Sequence, residues 1–182
     1  LISSFHLFGY DLDHPKYELI QKALVEEHNF SAEEIMLIIG KAEKQQKIID
    51  SMNAPAEFTW TWNRYRKLFI ESKRINNGKL FIKNNLETLE RAEAQFGVPK
   101  EIITAILGVE TRYGKIMGSY RVLDALSTLS FDYPRRSNFF SQELINLFLW
   151  ARENNLDIFK LKGSYAGAMG YGQFIPSSYR AY

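Results

Sequence analysis

Apolar residues recur three and four apart along most of this 182-residue chain, between cap and turn signals, and no stretch alternates as a half-buried strand does. A chain patterned this way can bury its side chains only by packing helix on helix, so the expected fold class is all-α. Pro15 to about Glu27 carries Leu19, Ile20, Ala23 and Leu24 on one face. Ser31-Ala32-Glu33-Glu34 fits a capping box, with Ser31 as N-cap, and a short apolar helix follows through Ile39. Gly40 interrupts, and Lys41 to Met52 reads as a second, more polar helix. Asn53-Ala54-Pro55 is a break. Thr61 to about Gly97 reads as one or two helices, interrupted at Asn76-Asn77-Gly78, with Leu86, Leu89 and Phe96 on its apolar face and Gly97 as C-terminal stop. Val122 to Leu129 is a short helix, Phe131-Asp132-Tyr133-Pro134 a turn, and a long helix from Pro134 or Arg135 runs to about Asn154. The length allows one domain with a sizeable core, or a core and a small lobe. The break at Asn53-Ala54-Pro55 precedes a shift to aromatic-rich sequence. The expected division is a helical lobe over residues 1–55 and a core over 56–182.

Composition narrows the function classes. The net charge is +2, from 23 basic and 21 acidic residues, and no Lys/Arg block forms a nucleic-acid stripe. There is no cysteine, which excludes disulfides and thiolate chemistry. The three histidines, His6, His14 and His28, have no metal-ligand spacing, and Asp11-Leu12-Asp13 lacks the rest of a calcium-loop pattern. No metal site is expected within the chain. No apolar run reaches transmembrane length and no signal peptide is visible. The chain opens on Leu1 and stops in mid-pattern at Tyr182, which reads as a fragment or processed form and leaves a removed export signal open. Aromatic residues make up 14%, enough to fill a core and still supply stacking surfaces for sugars or bases.

Glu110 is the most informative single residue. Val98 to Gly114 reads as a helix with Pro99 in its first turn and Gly114 ending it in a left-handed conformation. Ile103, Ile106 and Leu107 form a stripe, and Glu110 is its next step. A carboxyl on an apolar stripe loses solvation, which favours its neutral form. A carboxylic acid that keeps its proton near neutral pH is what general-acid cleavage of a glycosidic bond requires. The alternative is a helix-end Glu that tips into solvent or pairs with Arg112. The second informative stretch runs from Lys162 to Tyr179. Its Gly- and Ala-rich centre makes a poor helix interior and lets backbone approach a ligand or a neighbouring helix closely. It lacks the Gly-Lys-Ser/Thr ending of a phosphate loop and the spacing of a dinucleotide fingerprint. Ser164 and Gln173 bracket it with short polar groups. A tight surface loop and a ligand-facing wall both fit.

Three long stretches, in order, resemble the B-type lytic murein transglycosylases (glycoside hydrolase family 103). They are Gly108-Val109-Glu110-Thr111-Arg112-Tyr113-Gly114, the run from Leu123 to Arg136, and the run from Gly163 to Ser178. Trp62-Asn63-Arg64-Tyr65 and Arg74-Ile75 extend the resemblance upstream, so that it covers roughly residues 55–182, and the first 55 residues look like the family's N-terminal helical lobe. The resemblance implies a lysozyme-like helical core with an added α lobe. It implies peptidoglycan glycan strands as partner and substrate, and cleavage of the β-1,4 bond between N-acetylmuramic acid and N-acetylglucosamine to leave a 1,6-anhydromuramic acid end. Glu110 would be the catalytic residue, acid first and base second. Ser164 and Gln173 would orient Glu110 and the N-acetyl group, and Tyr65 would line the cleft. Arg135 and Arg136 would stand near the stem peptide, though an ordinary charged helix start fits them too. Phe174 would pack beneath the sugar or fill core. Asp124 and Asp132 are expected as caps or turn residues. No cofactor is implied, although some members carry a calcium loop in a segment that would follow Tyr182. The implied protein is a periplasmic monomer, without nucleic-acid contacts, whose outer-membrane anchor would precede Leu1.

Two rivals share these residues. A goose-type lysozyme-like hydrolase would need to activate water, most simply through a second carboxylate ~6.5–9.5 Å from Glu110, and Asp124 and Asp132 are the nearby candidates in sequence. A non-catalytic helical module that binds peptidoglycan would leave Glu110 dispensable.

Overall fold

The computed structural model describes residues 9, 10, 12–54 and 61–182. His6, Asp11 and Pro55 fall outside them. The chain forms two compact units. The first runs to Ala54 and takes up Gly118–Met169 and Phe174–Tyr182, and the second comprises Pro55–Met117 and Gly170–Gln173. The break at residues 53–55 coincides with the first passage between units, while residues 118–169 share a unit with the first 54.

The first unit holds α1 (Pro15–Glu26), α2 (Ala32–Ile39), α3 (Gln46–Asn53), α8 (Val122–Asp132), α9 (Ser137–Glu153) and α10 (Pro176–Ala181). Every residue of α8 from Val122 to Phe131 is buried, so this helix is the centre of its unit. Helices α9, α3 and α1 pack around it. Leu123, Leu126 and Leu129 meet Leu144, Leu147 and Phe148 in one apolar core with Ile20, Leu24, Ile35 and Ile39. The capping expectation at Ser31 holds, since its Oγ accepts the Glu34 N–H at 3.0 Å. The expected helix over Lys41–Met52 begins only at Gln46. The preceding backbone is claimed from α8: Asp124 Oδ1 accepts the Glu43 N–H at 2.8 Å and Thr128 Oγ1 accepts that of Gln45 at 3.0 Å. Tyr133 then breaks α8 from a short 3₁₀ turn, Pro134–Arg136, and the long helix starts at Ser137.

A two-residue antiparallel pair, not expected from sequence, joins β1 (Tyr120–Arg121) to β2 (Lys162–Gly163), with Tyr120 opposite Gly163 and Arg121 opposite Lys162. Gly118, at φ 89°, permits it, because a Cβ there would stand 2.0 Å from the Gly163 carbonyl oxygen.

The second unit holds α4 (Trp62–Phe69), α5 (Ser72–Asn84), α6 (Leu86–Phe96) and α7 (Lys100–Thr111). Three helices thus replace the one or two expected over residues 61–97, and the breaks fall at Ile70-Glu71 and at Asn85. The Asn85 amide donates back to the Phe81 carbonyl at 2.9 Å, which closes α5 there. Gly78 lies inside α5 and does not interrupt it; a Cβ on it would come 2.7 Å from the Tyr113 hydroxyl. Gly97 stops α6 in the left-handed conformation at φ 68°, as expected. Of that helix's expected apolar face, Leu89 is buried but Leu86 and Phe96 are exposed. Pro99 is the N-cap of α7 and not its first helical residue.

Candidate active site

Helix α7 meets its own unit through small residues. Thr104, Gly108 and Thr111 are buried, because Gly108 lies under the Tyr113 ring, where a Cβ would be 2.7 Å from Cζ. The stripe expected to be buried, Ile103, Ile106, Leu107 and Glu110, is therefore not the buried face: Ile103 and Leu107 are half-buried, Ile106 is 52% exposed and Glu110 is exposed, as is the neighbouring Val109 at 47%. Close helix approach selects the smallest side chains and leaves the larger ones outside. Glu110 forms no ion pair with Arg112 and, among the described residues, makes no side-chain hydrogen bond. It stands as an open carboxyl on an apolar surface.

The end of α7 is held tightly. Arg112, Tyr113 and Gly114 follow it at φ 51°, 63° and 80°, three left-handed residues in a row. The expected glycine stop at Gly114 is thus preceded by two non-glycine residues in the same conformation, each of which disfavours it. Tyr113 is fixed by its hydroxyl, which donates to the Arg74 carbonyl at 2.8 Å, and by its ring against Phe81. The Thr111 Oγ1 accepts the Gly114 N–H at 2.9 Å and lies 3.0 Å from the Tyr171 carbonyl oxygen, to which it donates. Gly114 admits the Tyr171 ring, since a Cβ would fall 2.2 Å from Cε1. The residue after Glu110 therefore ties its helix to the Gly-rich stretch, and nothing in the spacing of the two motifs signals that contact.

Gln173 belongs to the same piece. It is left-handed at φ 51°, and its Nε2 donates to the Gly170 carbonyl at 3.0 Å and the Met117 carbonyl at 3.2 Å. Both bonds use the amide nitrogen and leave its oxygen free to accept. Tyr65, also in this unit, is 37% exposed and sits in an aromatic row on α4: its ring is 6.2 Å from that of Trp62, stacked, and 5.0 Å from that of Phe69. Trp62, 71% exposed, is the larger open aromatic face of that row. The spacing of Trp62, Tyr65 and Phe69, three and four apart, was its available signal.

The remaining expected site residues lie in the first unit. Ser164 Oγ accepts the N–H groups of Ala168 at 3.1 Å and Ala166 at 3.3 Å, so it folds the Gly-rich turn while its own proton stays unspent. Phe174 is exposed, edge-on to Tyr179 at 6.0 Å. Arg135 and Arg136 are exposed in the 3₁₀ turn, and the Arg136 guanidinium lies 4.3 Å from the Phe139 ring centroid, which orients it. Asp124 is buried and takes two Arg121 nitrogens, at 2.6 and 2.9 Å, besides the Glu43 N–H. These bonds hold the Arg121 guanidinium above its ordinary pKa. Asp132 accepts from Tyr10 at 2.9 Å and pairs with Lys44. Both aspartates are thus committed to structure, but as acceptors within α8 and not as the caps or turn residues expected. Burial, opposed by the hydrogen bond to Thr128 and helped by that to Asp132, pushes the Tyr10 phenol far up, so Tyr10 stays a donor. Among the described residues no three His, Cys, Asp or Glu side chains converge to hold a metal, and no helix is long and apolar enough to cross a membrane.

The chain has relatives among known proteins. The transglycosylase SLT domain family matches residues 13–182. The membrane-bound lytic murein transglycosylase B of Escherichia coli strain K12 is 42% identical over 93% of this chain and 50% of its own length. The Escherichia coli lytic transglycosylase Slt35 superposes with a TM-score of 0.88 over 96% of this chain and 56% of that one, in complex with bulgecin A (44% identity) and with calcium (43% identity). The soluble lytic transglycosylase SltB1 of Pseudomonas aeruginosa superposes with a TM-score of 0.88 at 46% identity, over 92% of this chain and 57% of that one. The helical fold expected from sequence is the lysozyme-like fold of these structures. The chain spans about half the length of the curated relative it matches.

Proposed function

The chain belongs to the transglycosylase SLT domain family, and on that premise we propose that it supplies the catalytic carboxyl of a lytic murein transglycosylase. The observation that carries the proposal is Glu110: an open carboxyl on the exposed apolar face of α7, its helix end fixed through Thr111 to the Tyr171–Gln173 backbone. The substrate is the peptidoglycan glycan strand. Glu110 as acid protonates the glycosidic oxygen between N-acetylmuramic acid and N-acetylglucosamine, and the C1–O bond breaks. The substrate's N-acetyl oxygen stabilises the cationic carbon, a form of substrate assistance. Glu110, now a carboxylate, takes the proton of the same sugar's C6 hydroxyl, whose oxygen closes on C1. One proton leaves Glu110 and one returns, so no water is consumed and a 1,6-anhydromuramic acid end results.

In this reading Gln173 and Ser164 position Glu110 and the N-acetyl group, through the free amide oxygen and the unspent hydroxyl proton described above. Trp62 and Tyr65 stack on sugar rings, Phe174 lies beneath one, and Arg135 and Arg136 meet the stem peptide. Ile106 and Val109 give the strand an apolar bed beside Glu110. The structural commitments of Asp124 and Asp132 favour this reading over hydrolysis, because they occupy the two carboxylates that were candidates to activate water. The proposed setting is the periplasm, for a monomeric protein anchored at the outer membrane; the relative's name, membrane-bound, supports an anchor.

Mass spectrometry of muropeptides after digestion by the full-length protein tests the reaction. Anhydro ends, each one water lighter than a reducing end, are expected. Reducing ends as the sole product would make the protein a hydrolase, and undigested strands would make it a binding module.

A further inference from the structure

A cavity of about 200 Å³ opens between the start of α5 and the residues just past α7. Lys73, Arg74, Arg112 and Lys115 line it, with Glu71 as the one carboxylate. Glu71 stands 4.0 Å from the Arg74 Nε, and among the described residues Lys73, Arg112 and Lys115 have no ion pair. The cavity therefore carries an uncompensated excess of cations.

Helix ends do not account for that excess. Arg112 and Lys115 follow the C-terminus of α7, where cations are favoured, but Lys73 and Arg74 sit in the first turn of α5, where the helix dipole opposes them. The N-cap of α5, Glu71, makes no side-chain capping bond, so the first-turn N–H groups are not spent on it. Arg74 adds an independent sign. It is 9% exposed, its Nη1 donates to the Gly108 carbonyl at 3.2 Å, and its buried Nε has no hydrogen-bond partner. Buried arginines are ordinarily fully paired. The left-handed conformations of Arg112 and Tyr113 are kept despite their cost, and they put Arg112 and Lys115 on the same cavity as Lys73.

We propose that this cavity is an anion subsite that holds a carboxylate of the stem peptide carried by the glycan strand. The choice of ligand rests on the peptidoglycan reading above. The sugar rings of such a strand offer hydroxyl and acetamido groups, and its carboxylates lie on the substituents. Arg112 offers a guanidinium fork suited to a carboxylate, Arg74 adds the charge of a guanidinium whose Nη1 is already bonded to the Gly108 carbonyl, and Lys73 and Lys115 add point charges at the rim. The site begins two residues after Glu110, so it would fix the strand's register at the end of α7.

Equilibrium binding to the full-length protein tests this. The probes are free stem tetrapeptide, the same peptide with its carboxylates amidated, and inorganic phosphate. The wild type is expected to bind the free peptide at least tenfold more tightly than the amidated one. Lys73→Gln with Lys115→Gln should remove most of that difference, the remainder belonging to the arginines, and these exposed lysines can change without touching the core. Lys115→Gln alone should lower the preference about threefold. Equal affinity of wild type and double variant for the free peptide would overturn the proposal. So would inorganic phosphate binding that falls in the variant while peptide binding does not, since the anion would then be a phosphate. If strands are not cleaved but the peptide preference is present and lost in the variant, the subsite stands and the transglycosylase reading falls.

Discussion

Helix α8 buries every side chain from Val122 to Phe131, whereas α7 buries Thr104, Gly108 and Thr111 and leaves Ile102 51%, Ile106 52% and Val109 47% exposed. Both helices are rich in apolar residues, but they use them differently. In the first unit leucines, isoleucines and phenylalanines from α1, α2, α8 and α9 close an apolar core. In the second, Gly78 and Gly108 receive the Tyr113 ring and, among the described residues, Leu89 is the one buried aliphatic side chain, while Trp62, Ile75, Leu80 and Phe96 face outward. The first unit holds its fold by volume; the second spends apolar surface on the face that carries Glu110.

The sharpest way to break this contrast is to remove volume from the first unit. Leu126, fully buried, should cost roughly 2–5 kcal/mol of stability as Leu126→Ala, because the packed site collapses only partly. Chemical denaturation measures it, and a loss below about 1 kcal/mol would mean that the first unit is no better packed than the second.

Next in size is an effect on rate and not on stability. Gln173→Ala removes an oriented polar group beside the end of α7 and should slow strand cleavage roughly 10²–10³-fold, the scale of one lost oriented hydrogen bond. The melting temperature should barely move, since the lost bonds to Met117 and Gly170 end on partly exposed backbone. Cleavage at the wild-type rate would reduce the Gly-rich stretch to a structural turn.

The smallest effect is expected at Ile106. Ile106→Ser on the exposed face should change stability by no more than about 0.5 kcal/mol, as surface substitutions usually do, while weakening glycan-strand binding. A stability loss comparable to that of Leu126→Ala would show that the α7 face is covered in the working protein.

The same contrast explains what was legible in the sequence. The start of α1, the Ser31 cap and the Gly97 stop are local devices and were readable from a few residues each. Gln46, in contrast, begins its helix late because Asp124 and Thr128, some eighty positions away, take the Glu43 and Gln45 N–H groups. Gly78 looked like an interruption, but Tyr113 makes it a helix position. The buried face of α7 was misjudged because hydrophobic periodicity counts large side chains, and this helix packs through small ones. Glu110 drew notice as a carboxylate in an apolar pattern, and its place on an exposed apolar face is the structural counterpart of that oddity. Thr111 and its bond to Tyr171 could not be read, since a threonine beside a glycine-rich motif sixty residues away carries no local mark.

The most direct measurement compares Glu110→Gln with wild type in the full-length protein, scoring anhydro muropeptide ends by mass spectrometry alongside the melting temperature. The amide keeps the shape of the side chain but can neither give nor take the proton. The expected result is loss of anhydro product at an unchanged melting temperature, since the exposed Glu110 carries no bond that the fold needs. Anhydro product formed within tenfold of the wild-type rate by a folded Glu110→Gln protein would contradict the assignment of Glu110 as acid and base.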